Sequence, residues 1–250
     1  MEQPFADPCA SLSHNLRRHL GQAVARWKMI AGGDRLFVGL SGGKDSLVLL
    51  VALEALRRRS PVPFSLAAGT VDPTGGELDT APLARLCETL SVPYRVKAFP
   101  LFEIIASRKE HSPCSFCANY RRGLLNGMAV ETDATSLALG HHLDDAVETA
   151  LLNLCFSGRF RSFQPTGYQD RSGIRFIRPL VTATEERIAD EATRLRLPVL
   201  TISCPFAFKS EREAMKDFVW RLRQRQPRVR ENVLNALESL EGEDSWEVLP

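Results

Sequence analysis

A chain of 250 residues that is 44% apolar and 25% charged can bury a sizeable core. Its 32 basic and 30 acidic residues leave a net charge of +2, so any basic surface is local rather than a property of the whole. No run approaches the ~18 apolar residues of a membrane span, and the opening "MEQPFADPCASLSHNL" lacks the basic and apolar regions of a signal peptide, which predicts a cytoplasmic protein without a membrane partner.

Leu16, Leu20, Ala23, Val24, Trp27 and Ile30 recur at steps of three and four, which predicts an amphipathic helix ending at Gly32-Gly33. Strand-like runs follow at 35–40, 64–71, 93–99, 135–140 and 198–202. Helical runs alternate with them at 46–59, 80–90, 121–131, 144–156 and 183–197. The alternation predicts an α/β fold with a doubly wound, mostly parallel five-stranded sheet and flanking N- and C-terminal helices. Ligands in such sheets bind beyond the carboxyl ends of the strands. Residues 157–175 read as a loop, and after Lys209 only helical patterns remain, split at Pro227. The expected division is a helical segment at 1–31, the main domain at 32–205, C-terminal helices at 206–240 and a frayed acidic tail at 241–250.

The first strand runs into "SGGKDS" and then a helix, a context that aims backbone N–H groups at an anion. Gly42 and Gly43 allow close approach, and Ser41 and Ser46 can donate hydroxyls. A Walker A loop would need Gly at 38 and Ser or Thr at 45, where this chain has Val38 and Asp45. An aspartate in a phosphate cradle either caps the helix or binds a metal, and magnesium shared with phosphate oxygens suits it. Lys44 completes the cationic side of the loop.

Cys114 and Cys117 form a C-x-x-C pair, and Cys204 follows the last strand-like run. Three thiolates can share a metal or a cluster, whereas a closed zinc site would recruit a fourth ligand such as His111. Cys87 and Cys155 lie on apolar helix faces and are expected to be buried. Cys9 has no assigned role. "GHHLDDAVET" places His141, His142, Asp144 and Asp145 just past a strand. Asp144 can be a helix cap and either histidine a packing residue. Asp72 ends the second strand and either faces a nucleotide or organises the turn "VDPTGGE". Arg121 and Arg122 either contact phosphate or form a solvated face.

"SGGKDS" resembles the signature of PP-loop ATP pyrophosphatases. "CSFCANYRRGLL", "LGHHLDDAVETALLN" and "FIRPL" are similar to segments of the tRNA 2-thiocytidine synthetase family, in order, over residues 16–226. The resemblance implies ATP and Mg2+ at Ser41, Gly42, Gly43, Lys44, Asp45 and Ser46, with Asp72 and Arg122 on the nucleotide. It implies catalytic roles for Lys44, Asp45, His141 and Asp145, and a [4Fe-4S] cluster on Cys114, Cys117 and Cys204. The implied reaction adenylates the C2 oxygen of an anticodon-loop cytidine in tRNA and replaces it with sulfur drawn from a cysteine desulfurase or free sulfide. A homodimer is also implied. The chain departs from the family at "CPFAFKSERE", which lacks a second cysteine, and at "RFRSFQPTGYQD", which lacks a Met-Pro-Pro element. Three alternatives stand beside this reading: a carbonyl-activating PP-loop ligase of lysidine or amidotransferase type, an enzyme acting on another RNA or a small heterocycle, and a non-catalytic ATP- and zinc-binding regulator.

Overall fold

The computed structural model describes residues 7–110, 112–168, 173–201, 204–206, 211–240 and 246. Its sheet has six strands in the order β3-β2-β1-β4-β6-β5. The strands are β1 (Arg35–Gly39), β2 (Ser65–Asp72), β3 (Tyr94–Ala98), β4 (Ser136–Ala138), β5 (Thr166–Tyr168) and β6 (Arg175–Ile177). Five run parallel, and β5 is an antiparallel edge paired to β6.

The α/β class and five parallel strands match the sequence reading, but the fifth parallel strand is not the one expected. Described residues 198–201 form no strand, and residue 202 lies outside the described residues. The place beside β4 is taken by β6, whose "FIRPL" context was expected to precede the last helix. Three-residue strands carry no usable alternation, which is why β5 lay hidden within the expected loop at 157–175 and β6 went unread at its end.

The larger core face packs α2 (His14–Arg26), α3 (Lys44–Arg57), α7 (Leu143–Ser157) and α8 (Glu185–Arg194). In α3 every side chain from Leu47 to Leu53 is at most 1% exposed, so this helix is enclosed by its neighbours as its apolar run implies. The same core takes in Cys9 at one end and Met215, Val219, Val229, Val233, Leu237 and Trp246 at the other. These last come from α9 (Glu211–Arg225), α10 (Val229–Glu238) and the chain beyond. A smaller core of Phe37, Val71, Met128, Ala129, Leu137 and Ile174 lies under α6 (Pro113–Glu131). The other described helices are α1 (Pro8–Ser11), α4 (Ala81–Thr89) and α5 (Leu101–Arg108).

One cysteine expectation and the tail expectation change. Cys87 is buried as expected, whereas Cys155 is exposed in the last turn of α7, and Cys9 is buried with its thiol 3.6 Å from Val51 O. The apolar pattern of α7 extends past the point where neighbours cover it, leaving Leu154 and Phe156 exposed as well. The acidic tail lies outside the described residues apart from Trp246. That ring is 1% exposed and meets Trp27 edge-on at 6.1 Å, so the chain is anchored there rather than frayed.

Candidate active site

Strand order reverses between β1 and β4, which opens a crevice beyond their carboxyl ends. A cavity of about 300 Å³ occupies it, lined by Ser41, Asp45, Ser46, Arg121, Arg122, Gly140, His141 and Asp145 among others. The turn from β1 into α3 needs glycine at position 42, where φ is +81° and a Cβ would meet the Leu200 side chain at 3.1 Å. Leu200 N also donates to Gly42 O at 2.9 Å, so the chain after α8 braces this turn. Gly140 approaches equally closely: a Cβ there would lie 3.1 Å from the Asp45 carbonyl carbon and from Ser46 N.

Within the loop, the Ser41 and Ser46 hydroxyls lie 3.1 Å apart, and Ser46 Oγ accepts from Ser41 N and donates to Gly43 O. Lys44 Nζ is 3.2 Å from Asp45 Oδ1 and donates to Glu185 Oε1 at 3.0 Å. Burial acts to lower the Lys44 pKa, but Asp45 and Glu185 outweigh it and hold the ammonium above its ordinary value. Burial likewise opposes ionisation of Glu185, yet Lys216 and Lys44 bring its carboxyl down to about 2. Asp45 Oδ1 is buried and, apart from the Lys44 ammonium at 3.2 Å, has no hydrogen-bond partner, which leaves a carboxylate oxygen beside the cradle with acceptor capacity to spare. An oxygen donor of that kind fits magnesium.

The turn from β4 into α7 is fixed by a capping box, in which His142 Nδ1 accepts from Asp145 N and Asp145 Oδ2 accepts from His142 N. With Nδ1 accepting, the neutral His142 ring carries its proton on Nε2, which lies 3.8 Å from Asp45 Oδ1. His141 is set differently. Its Nδ1 accepts from Arg178 Nε at 3.1 Å, and the Arg178 guanidinium lies between Phe163 and Phe176 at 4.7 and 4.5 Å from their centroids. Burial, reinforced by Arg178, pushes the His141 pKa down to about 3, so this ring is neutral at physiological pH.

Asp144 points away from the cavity. Its carboxylate accepts Glu185 N at 2.7 Å and Arg230 Nη1 at 2.7 Å, so it ties α7 to α8 and α10. Asp145 Oδ1 accepts from Arg212 at 2.9 Å, and Arg212 Nε lies 3.5 Å from Glu148. Burial lifts the Glu148 carboxyl to about 7 despite Arg212.

Cys114, Cys117 and Cys204 line a second cavity, of about 230 Å³, closed by Phe102, Ile105 and Phe206. Among the described residues no three His, Cys, Asp or Glu side chains converge as a single metal ion requires. The three thiols instead surround a volume. Soft thiolate donors around an apolar cavity fit an iron-sulfur cluster, whose ligands bind different irons. Burial raises the Cys117 pKa, with Arg121 opposing and the other two thiols adding to it. His111, the extra ligand a zinc site would recruit, lies outside the described residues.

The expected residues thus fall into one region. Ser41, Gly42, Gly43, Lys44, Asp45 and Ser46 form the cradle, Arg122, His141 and Asp145 line its cavity, and the three cysteines line the next one. Asp72 is placed otherwise: its carboxylate accepts from Thr74 N, Thr74 Oγ1 and Leu78 N, which is the turn-organising role. Sequence reasoning missed Arg178, Glu185, Arg212 and Lys216. "FIRPL" contains Arg178, and the i,i+4 spacing of Arg212 and Lys216 was visible, but neither signal says which carboxylate or imidazole is reached.

The PP-loop domain model matches residues 12–199. A tRNA-cytidine(32) 2-sulfurtransferase of Pelobacter propionicus is 39% identical, over 92% of this chain and 87% of that protein. One of Geobacter metallireducens is 37% identical over 90% of each. Among solved structures, the U34-tRNA thiolase NcsA of Methanococcus maripaludis with its [4Fe-4S] cluster superposes with a TM-score of 0.73 at 26% identity, over 92% of this chain and 80% of that one. The chain belongs to the PP-loop family, in the branch of the tRNA-cytidine(32) 2-sulfurtransferases.

Proposed function

We propose that this protein thiolates tRNA, activating the C2 oxygen of an anticodon-loop cytidine with ATP and replacing it with sulfur. The observation that carries this is the common wall of the two cavities. Ala118 and Arg121 of α6 line both, so a base activated at the phosphate cradle is one helix face away from the thiols.

In the first step the C2 oxygen forms a bond to the α-phosphorus, and the bond from that phosphorus to the bridging oxygen breaks, releasing pyrophosphate. The N–H groups at the start of α3, the Ser41 and Ser46 hydroxyls and Lys44 face the charge that develops on the leaving group. Asp45 would hold magnesium, which supplies neutralisation of the same charge. Asp45 is held by the Lys44 ammonium, while neutral His141 offers the cavity a hydrogen-bonding edge without a second positive charge. In the second step sulfur bonds to C2 and AMP leaves with the original oxygen. Cys114, Cys117 and Cys204 would hold a [4Fe-4S] cluster with one iron free of protein ligands, which supplies the sulfur-carrying position. Free sulfide would replenish it directly, and a cysteine desulfurase would do so through a persulfide whose outer sulfur is reduced by two electrons from a thiol or another reductant. The target base must leave its stack, as loop bases do readily.

Mass spectrometry of tRNA nucleosides from cells with and without the gene tests the reading. Loss of 2-thiocytidine on deletion, with return on complementation, is expected. Unchanged 2-thiocytidine rules the assignment out.

A further inference from the structure

The α6 helix carries a second strip beside the one that lines the cavities. Cys117 and Arg121 face the cavities. Phe116 and Tyr120 each precede one of them and are turned by about 100° around the helix onto the neighbouring face. Their rings stack at 4.5 Å with 27° between planes, and Phe99, just past β3, stacks on Tyr120 at 6.1 Å and 24°. The Arg108 guanidinium, from the last turn of α5, lies 5.6 Å from the Phe116 centroid. The result is a ladder of three rings and one cation with Tyr120 37% exposed and Arg108 at the surface.

The charge around this ladder is unspent. Among the described residues Arg108, Lys109, Arg121 and Arg122 form no ion pair with a carboxylate, and neither do the nearby Glu103 and Glu110. Lys97 is taken up by Glu131 at 3.4 Å. On the C-terminal helices Arg212, Lys216, Arg223 and Arg230 are matched to carboxylates, whereas among the described residues Arg221 and Arg225 are not, and no stacked rings accompany those two. Unmatched cations beside stacked rings are the pairing that single-stranded nucleic acid uses: phosphates take the cations, and unpaired bases stack on rings or on a guanidinium plane.

We propose that the strip formed by Phe99, Arg108, Lys109, Phe116 and Tyr120 docks the unpaired RNA nucleotides that flank the target base. The proposal rests on the RNA-thiolation reading and adds the place where the loop is held while one base enters the crevice. Two sets of variants of the full chain test it by anisotropy with a hairpin RNA bearing a single-stranded loop, with ATP binding measured on the same samples. Arg108→Glu with Lys109→Glu is expected to weaken hairpin binding at least about tenfold and to lower the salt slope by about 2, leaving ATP affinity unchanged. Tyr120→Ala is expected to weaken it at least about fivefold, and Tyr120→Phe to bind as the parent does. Wild-type affinity in both the charge-reversed and alanine variants overturns the proposal, as does a Tyr120→Phe loss equal to that of Tyr120→Ala. Intact RNA binding together with lost sulfur transfer from a donor protein reassigns the strip to that donor and also overturns it. Failure of the unaltered protein to bind the hairpin strikes the RNA reading itself.

Discussion

The two helices that wall the nucleotide crevice, α6 and α7, are built in opposite ways. On α7 the acidic groups are already engaged, Asp144 by Arg230, and Asp145 and Glu148 by Arg212, and the first turn is locked by a capping box. On α6 Arg121 and Arg122 face the crevice without carboxylate partners among the described residues, and the thiols of Cys114 and Cys117 lie along the same helix. The α7 wall is preorganised, with its dipoles and carboxylates fixed before anything binds. On the proposed reading, the α6 wall keeps its bonding capacity for what arrives: phosphate, an iron-sulfur cluster and RNA. One wall positions, the other receives.

Substitutions can break this division. The largest expected effect is on the receiving wall: Cys114→Ala, Cys117→Ala or Cys204→Ala singly should remove tRNA thiolation to background while ATP binding persists. Iron and acid-labile sulfide measured after anaerobic purification should fall with it. Full thiolation in any of the three would remove the thiols from the reaction.

Next comes the seam between β4 and α3. Gly140→Ala would drive a Cβ against the backbone of Asp45 and Ser46, where nothing flexible can yield. A destabilisation of about 1–3 kcal/mol is expected from such overpacking. Calorimetry and ATP titration should show a lower melting temperature together with weaker nucleotide binding.

A smaller effect concerns Glu148 on the positioning wall. Its carboxyl binds a proton more tightly folded, with a pKa of about 7, than unfolded, near 4.5. The stability this proton gives is therefore complete below about pH 4.5 and lost as pH rises through 7. Glu148→Gln should melt like the parent at low pH and about 2–4 °C higher at pH 8. Glu185 behaves oppositely: with its folded pKa down at about 2, its contribution is present above about pH 4.5 and lost on acidification toward 2. Smallest of all, Cys155→Ser should leave thiolation and iron content within about twofold of the parent, since this exposed thiol lies off both cavities.

What was legible in the sequence divides along similar lines. "SGGKDS", "GHHLDD" and C-x-x-C are contiguous runs whose chemistry is local, and the structure assembles them in one region because each ends a strand or starts a helix at the carboxyl edge. The groups that hold those runs in place are distant in the chain. Leu200 braces Gly42, Arg178 holds His141 and Arg212 holds Asp145, through contacts that no periodicity encodes. Asp72 shows the converse. Its position at a strand end fitted a ligand role, but three local donors in the following turn take its carboxylate. The fifth parallel strand was misplaced because three residues of "RFI" give no alternation to read, while "PVLTI" looks like a strand and its described part, through Leu200, serves instead as a brace.

The central claim is that ATP is cleaved at the α-phosphate by the Asp45 cradle, separately from sulfur supply at the cysteines. Pyrophosphate release by Asp45→Asn, measured in the presence of tRNA alongside iron and sulfide content, tests it most directly. The account predicts that release falls at least about a hundredfold, the scale of losing one preorganised charge contact, with iron and sulfide unchanged. Release at the parent rate would contradict it and leave Asp45 as no more than the ion-pair partner of Lys44.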